Sequence, residues 1–140
     1  MTELAELVLT ADERAAGADV DAVLLVLDWS GEDEPGQLAA FAAGRARALG
    51  TDPTGVDDGA VRRAAENDPT LERGDLLVRQ LDHLSGVLTG LGCALLTVFS
   101  GTDSYELLVA RTDGREPTGL THQGCPVLPW GTEPDPALYG

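Results

Sequence analysis

The chain has 140 residues, a length at which folding buries roughly two-thirds of the surface of the extended chain around one core. Twenty-four acidic residues against nine basic ones leave a formal charge of −15. A field of that sign repels phosphate backbones and anionic lipid, which excludes ordinary nucleic-acid and membrane-surface partners and favours basic proteins or cations.

Hydrophobic residues make up 43% of the chain and aromatic ones 4%, so a core of Leu, Val and Ala is expected and disorder over the whole length is not. The large anchors are Trp29, Phe41, Phe99, Tyr105, Trp130 and Tyr139. Every basic residue is Arg, and neither Lys nor Ile occurs. Both have AT-rich codons, which points to a GC-rich bacterial or halophilic archaeal genome rather than to a function. Acids at Glu3 and Glu6 stand where a secretory leader carries basic residues, and no apolar run, Ala22–Leu27 included, approaches the length of a membrane span. The expected setting is cytoplasmic, with the two thiols, Cys93 and Cys125, reduced.

Leu4, Leu7, Val8 and Ala11 predict a first helix over 2–16 stopped by Gly17, although Thr10-Ala-Asp-Glu13 has the capping-box pattern that restarts a helix midway. Val20–Leu27 reads as a strand apolar on both faces and so as the central one. The turn-rich acidic link Asp28–Gly36 leads into a helix that Pro35 opens and that runs to about Leu49, with Leu38, Phe41, Ala42 and Leu49 inward. A loop over 51–59 precedes a short helix, Ala60–Glu66.

The strongest periodic signal is Asp75–Leu91, where Leu77, Leu81, Leu84, Leu88 and Leu91 recur at steps of four and three. Cys93–Phe99 and Tyr105–Ala110 are β-rich runs joined by the turn Ser100–Ser104, an antiparallel hairpin. After Arg111 the chain is loop-like and no regular element is indicated, with Leu128 and Trp130 available to pack back. The expected fold class is α/β (α+β), a small mixed sheet of about three strands against three to four helices. The expected organisation is one domain over 1–120 with a Pro/Gly-rich tail, 121–140, packed on it or trailing from it. Leu24, Val26, Leu81, Leu84, Leu88, Leu95 and Leu108 are expected to be buried together.

No Walker A loop, G-x-G-x-x-G, G-x-S-x-G, H-E-x-x-H or paired C-x-x-C occurs. Ligands in α/β sheets gather where strand ends meet helix starts, which makes Asp28, Trp29, Glu32 and Asp33 the candidate ligand-binding residues, joined by Ser100, Asp103 and Tyr105 of the hairpin. Carboxylates there suit a divalent cation, but acids before a helix also simply complement its dipole, and that second reading is favoured because no metal-loop spacing is present. His83, Cys93, His122 and Cys125 supply only four zinc ligands from unrelated elements, so no metal is expected. Ser100, Thr102 and Ser104 invite a nucleophile role with His83 or His122 as base, yet turns favour these residues for backbone reasons alone.

Asp28-Trp-Ser-Gly-Glu-Asp-Glu-Pro-Gly36 with its following helix, together with Gly101-Thr-Asp-Ser-Tyr105 after an apolar strand, resembles a family of uncharacterised bacterial proteins known only as a domain of unknown function. The resemblance implies a bacterial, cytoplasmic setting and carries no activity with it. Charge and missing motifs point to a non-catalytic protein-interaction or regulatory module with a basic protein partner and no cofactor. The alternative is a small enzyme or divalent-cation-dependent ligand-binding domain using the Asp28–Glu34 loop. The oligomeric state stays open, a dimer included.

Overall fold

Two short helices, α1 (Leu4–Val8) and α2 (Ala11–Ala15), stand in place of one N-terminal helix in the computed structural model, which describes residues 4–113, 117 and 119–132. The capping box wins over continuity. The Glu13 amide donates to Thr10 Oγ1 at 3.0 Å and the Thr10 amide donates to Glu13 Oε1 at 2.8 Å, which satisfies two helix-start groups reciprocally. Gly17, at φ +83°, closes the segment.

Glu13 also receives both terminal nitrogens of Arg45, at 2.8 and 2.9 Å, and Arg45 donates to the Val8 carbonyl at 2.7 Å. The Arg45 guanidinium, helped by the Thr10 amide, holds the Glu13 carboxyl down at about 2, from an ordinary 4.5. A folded value below the unfolded one means that this pair stabilises the protein fully above the unfolded value and ceases to do so as pH falls toward 2. Glu13→Gln is therefore expected to melt below the wild type at pH 7, with the gap closing between about pH 4.5 and 2. Equal melting temperatures at pH 7 would show that the pair contributes nothing.

The apolar run expected as a central strand divides. Asp19 accepts from the Ala22 amide at 3.2 Å and caps a 3-10 helix, Val20–Val23, leaving β1 only Leu25–Asp28. β1 lies at the sheet edge, and Val26, expected in the core, is 50% exposed. α3 (Gln37–Ala48), α4 (Gly59–Glu66) and α5 (Asp75–Gly90) follow as read from the sequence, to within two residues at each end. Pro35 stands in the turn before α3 rather than in its first turn.

β2 (Cys93–Val98) and β3 (Ser104–Arg111) form the expected hairpin, with Leu96 opposite Leu108. The tail is more regular than expected. β4 (Thr121–His122) and β5 (Cys125–Pro129) form a second hairpin, and β5 pairs with β2 through Leu96–Pro129, Thr97–Leu128 and Val98–Val127. The sheet therefore extends past residue 120, to Pro129. Residues 133–140 of the expected tail lie outside the described residues.

The class is α+β as expected, but the sheet has five strands in the order β1-β3-β2-β5-β4 and every pairing is antiparallel. The helical crossover does carry β1 and β2 in the same direction. β3 occupies the place between them, so no parallel pair forms and the expected mixed sheet is corrected.

Strand alternation divides the core between the two faces of the sheet. Leu27, Leu95, Leu107 and Val109 face α3 and α5, where they meet Leu38, Leu77, Leu81, Leu84 and Leu88. Leu96, Val98, Leu108 and Ala110 face α1 and the 3-10 helix, with Leu120 and Val127. Leu108, expected beside the α5 leucines, is thus buried on the opposite face, and Leu24 is only partly buried there. Among the described residues no helix is long and apolar enough to cross a membrane.

Cys93 begins β2 at 2% exposure, and burial pushes its thiol pKa up, whereas Cys125 on β5 is half-buried. A thiol reagent needs access and thiolate. Native protein is expected to lose one thiol quickly, at Cys125, and the second only in denaturant. Equal labelling of both in the native state would contradict this packing.

Candidate functional site

The register places Asp28 of β1 opposite Ser104 of β3, so the β1–α3 loop and the β2–β3 loop meet at one end of the sheet, as the site reading requires. The candidate residues nevertheless serve two different cavities. Ser100 and Tyr105 line one and Glu32 lines the other, while Asp28, Trp29, Asp33 and Asp103 line neither. The last four are exposed.

The loop carboxylates have separate tasks. Asp28 accepts from the Ser30 hydroxyl and amide, and the Ser30 hydroxyl holds its carboxyl below the usual carboxylate range. Glu32 turns inward: Oε2 accepts from the Leu38 amide at 2.7 Å, and Oε1 accepts from the Gly36 amide at 3.4 Å and from Gln80 Nε2 at 2.8 Å. Gly36 precedes α3 and has no side chain to cap it. Glu32 supplies that cap from four residues upstream, satisfying helix-start amides that the sequence leaves without an acceptor. Asp33 is exposed, its amide held by Gln37 Oε1 at 3.0 Å.

Trp29 lies across Gly74, where an added Cβ would sit 3.0 Å from the indole and where φ is +92°, so glycine is needed for both space and conformation. Arg73 covers the ring with its guanidinium 5.3 Å from the centroid, a cation–π contact, and Trp29 keeps 42% exposure.

The cavity of about 530 Å³ opens between the β1–α3 loop, α4 and α5. Its polar wall is Glu32, Arg62, Glu66 and Gln80, opposite Leu71 and Leu76. Behind it, Gln80 Nε2 also donates to Asp58 Oδ2 at 2.8 Å, and Asp58, fully buried, stands 3.0 Å from Arg62 Nε without the alignment of a hydrogen bond. This network was missed in the sequence. Its legible signal was Gln80 itself, a polar residue on the inward stripe of α5 between Leu77 and Leu84.

The second cavity, of about 370 Å³, lies beside the hairpin loop. Tyr105 and Trp130 form one wall, edge to face, with centroids 5.5 Å apart and planes at 73°. Trp130 is held at both ends: its indole N–H donates to Asp82 Oδ1 at 2.6 Å and its amide donates to the Leu95 carbonyl at 2.8 Å.

The histidines are engaged elsewhere. His83 Nε2 pairs with the Asp57 carbonyl at 2.8 Å, His122 Nε2 with Asp21 Oδ1 at 2.8 Å, and Ser100 donates to Glu106. No hydroxyl of the hairpin loop has an imidazole as its hydrogen-bond partner among the described residues. Nor do those residues hold a group of three or more His, Cys, Asp or Glu able to bind a metal ion.

Comparison with protein-family models, curated proteins and solved structures gives no match. The site therefore rests on its own geometry.

Proposed function

We propose that this chain is a non-catalytic binding module that takes an extended basic segment of a partner protein along the open edge of β1. The observation that carries this reading is the edge itself. Among the described residues no strand pairs with the outer side of β1, and its exposed apolar side chain, Val26, stands opposite Glu106, with Asp28 and the exposed Trp29 ending the strand.

An unpaired strand edge offers backbone donors and acceptors to an incoming chain, and the side chains beside it choose which chain. Val26 gives an apolar contact, Trp29 adds a second at the strand end with 42% of its surface exposed, and Asp28 and Glu106 favour a basic chain. A second copy is a poor occupant, because two chains of −15 repel, whereas a basic segment gains steering from the same field. The alternative of a small enzyme or cation-dependent domain at Asp28–Glu34 has less support, since Glu32 is consumed in capping α3 and the neighbouring acids do not converge.

The test is a titration of the labelled protein with an alternating Arg–Val decapeptide and its Glu–Val counterpart, read from backbone amide shifts. Expected are shifts centred on Leu25–Trp29 with the basic peptide alone, about tenfold weaker binding between 50 and 300 mM salt, and loss of binding in Val26→Arg. Shifts spread over the acidic surface away from β1, or none at low salt, would reject the reading.

A further inference from the structure

The cavity between the hairpin loop and Trp130 has a chemistry unlike the rest of this acidic chain. Among the described residues, every side chain that lines it is uncharged. Phe99, Tyr105 and Trp130 give it aromatic walls, and Ser104 and Thr132 add hydroxyls. Its volume of about 370 Å³ falls at the small end of the range for ligand pockets, about 300–1,000 Å³. Its walls are fixed in advance, because Trp130 is tied to Asp82 and Leu95 and Tyr105 packs edge-on against it. Such rigidity reduces the ordering cost of binding.

Thr97 sits on β2 opposite Leu107 and Leu128 and borders the cavity, but its hydroxyl is wholly buried and what it turns to the cavity is apolar. The hydroxyls open to a ligand are those of Ser104, partly buried, and Thr132, exposed. We propose that this cavity binds a small uncharged ring compound of nucleobase or hexose size, its face against the aromatic walls and its polar edge toward the hydroxyls.

The charge selection follows from the same residues. Among the described residues of the lining a phosphate or carboxylate would meet no cationic side chain, and it would enter a field of −15. An ammonium group would meet no carboxylate among the described residues of the lining, Asp82 being occupied by the Trp130 indole. An uncharged ring needs neither. Aromatic side chains stack on it whatever its sequence of polar groups, and hydroxyls serve as donor or acceptor. The site shares no lining residue with the β1 edge and does not depend on a partner there.

The full chain is titrated separately with adenosine, methyl α-glucoside, adenosine monophosphate and choline, following the Trp130 indole N–H and the amides of residues 97–105. Expected is saturable binding of one of the two uncharged probes, with adenosine and the glucoside distinguishing base from sugar, and at least about tenfold weaker binding of the nucleotide and of choline. Thr132→Val should melt with the wild type, Thr132 being exposed, while binding the uncharged probe several-fold more weakly. The melting arm separates a ligand-binding hydroxyl from a merely structural one. Saturable binding of neither uncharged probe, stronger binding of choline or the nucleotide, or unchanged affinity in Thr132→Val would each overturn the proposal.

Discussion

Leu84→Ala is expected to cost about 2–5 kcal/mol in urea unfolding and to lower the melting temperature by on the order of 10 °C. Leu84 is fully buried at the middle of the α5 stripe, with Leu77, Leu81 and Leu88 on the same face. That face meets Leu38 and Ala42 of α3 and Leu95 of β2, so the side chain lies between the helical layer and the sheet. Truncation loses the transfer energy of the missing methyl groups and leaves a hole that helix and sheet cannot both close. Val78 on the same helix is 37% exposed, and Val78→Ala should cost only a few tenths of a kcal/mol. Similar losses at the two positions would mean that the truncations act through the helix as a whole and not through the core.

Why α5 was legible and β5 was not comes down to where each obtains its information. The leucines of α5 recur within a single element, so the buried face can be read without knowing its partner. β5 carries Pro126 and Pro129 and shows no alternation, and it is a strand because Leu96, Thr97 and Val98 of β2 offer it an edge. Val20–Val23 misled for the opposite reason. A continuous apolar run does not by itself distinguish strand from helix, and the deciding residue was Asp19, outside the run, whose side chain caps the 3-10 turn.

The candidate site divides in the same way. Strand-end topology singled out the Asp28 and Ser104 loops, which the register brings to one end of the sheet, and Tyr105 of the second lines a cavity there. Trp130 had no local signal for its role, because its neighbours Tyr105 and Asp82 are 25 and 48 residues away in sequence. Glu32 was picked as a ligand-binding acid, yet its oxygens serve the start of α3, the result that the dipole reading anticipates.

Gln80→Leu is expected to cost about 2–4 kcal/mol, although leucine has nearly the volume of glutamine and belongs to the stripe that Gln80 interrupts. The amide nitrogen of Gln80 donates at 2.8 Å to both Glu32 and Asp58, joining α5 to two segments of chain 48 and 22 residues away in sequence. Glu32 loses one donor and keeps the Leu38 and Gly36 amides. Asp58 is worse placed: fully buried, it keeps only Arg62, at ion-pair distance without hydrogen-bond alignment. A buried carboxylate deprived of its partner is costly, whereas a pair removed together is not. Asp58→Asn should therefore recover part of the loss when combined with Gln80→Leu, and the double variant should be more stable than the sum of the two single losses predicts. Amide exchange supplies the structural readout, with faster exchange at Leu38 and through the first turn of α3 as the Glu32 cap loosens. A loss below about 1 kcal/mol for Gln80→Leu, with additive energies in the double variant, would show that Glu32 and Asp58 are satisfied without it and that the network does not hold the loop on α5.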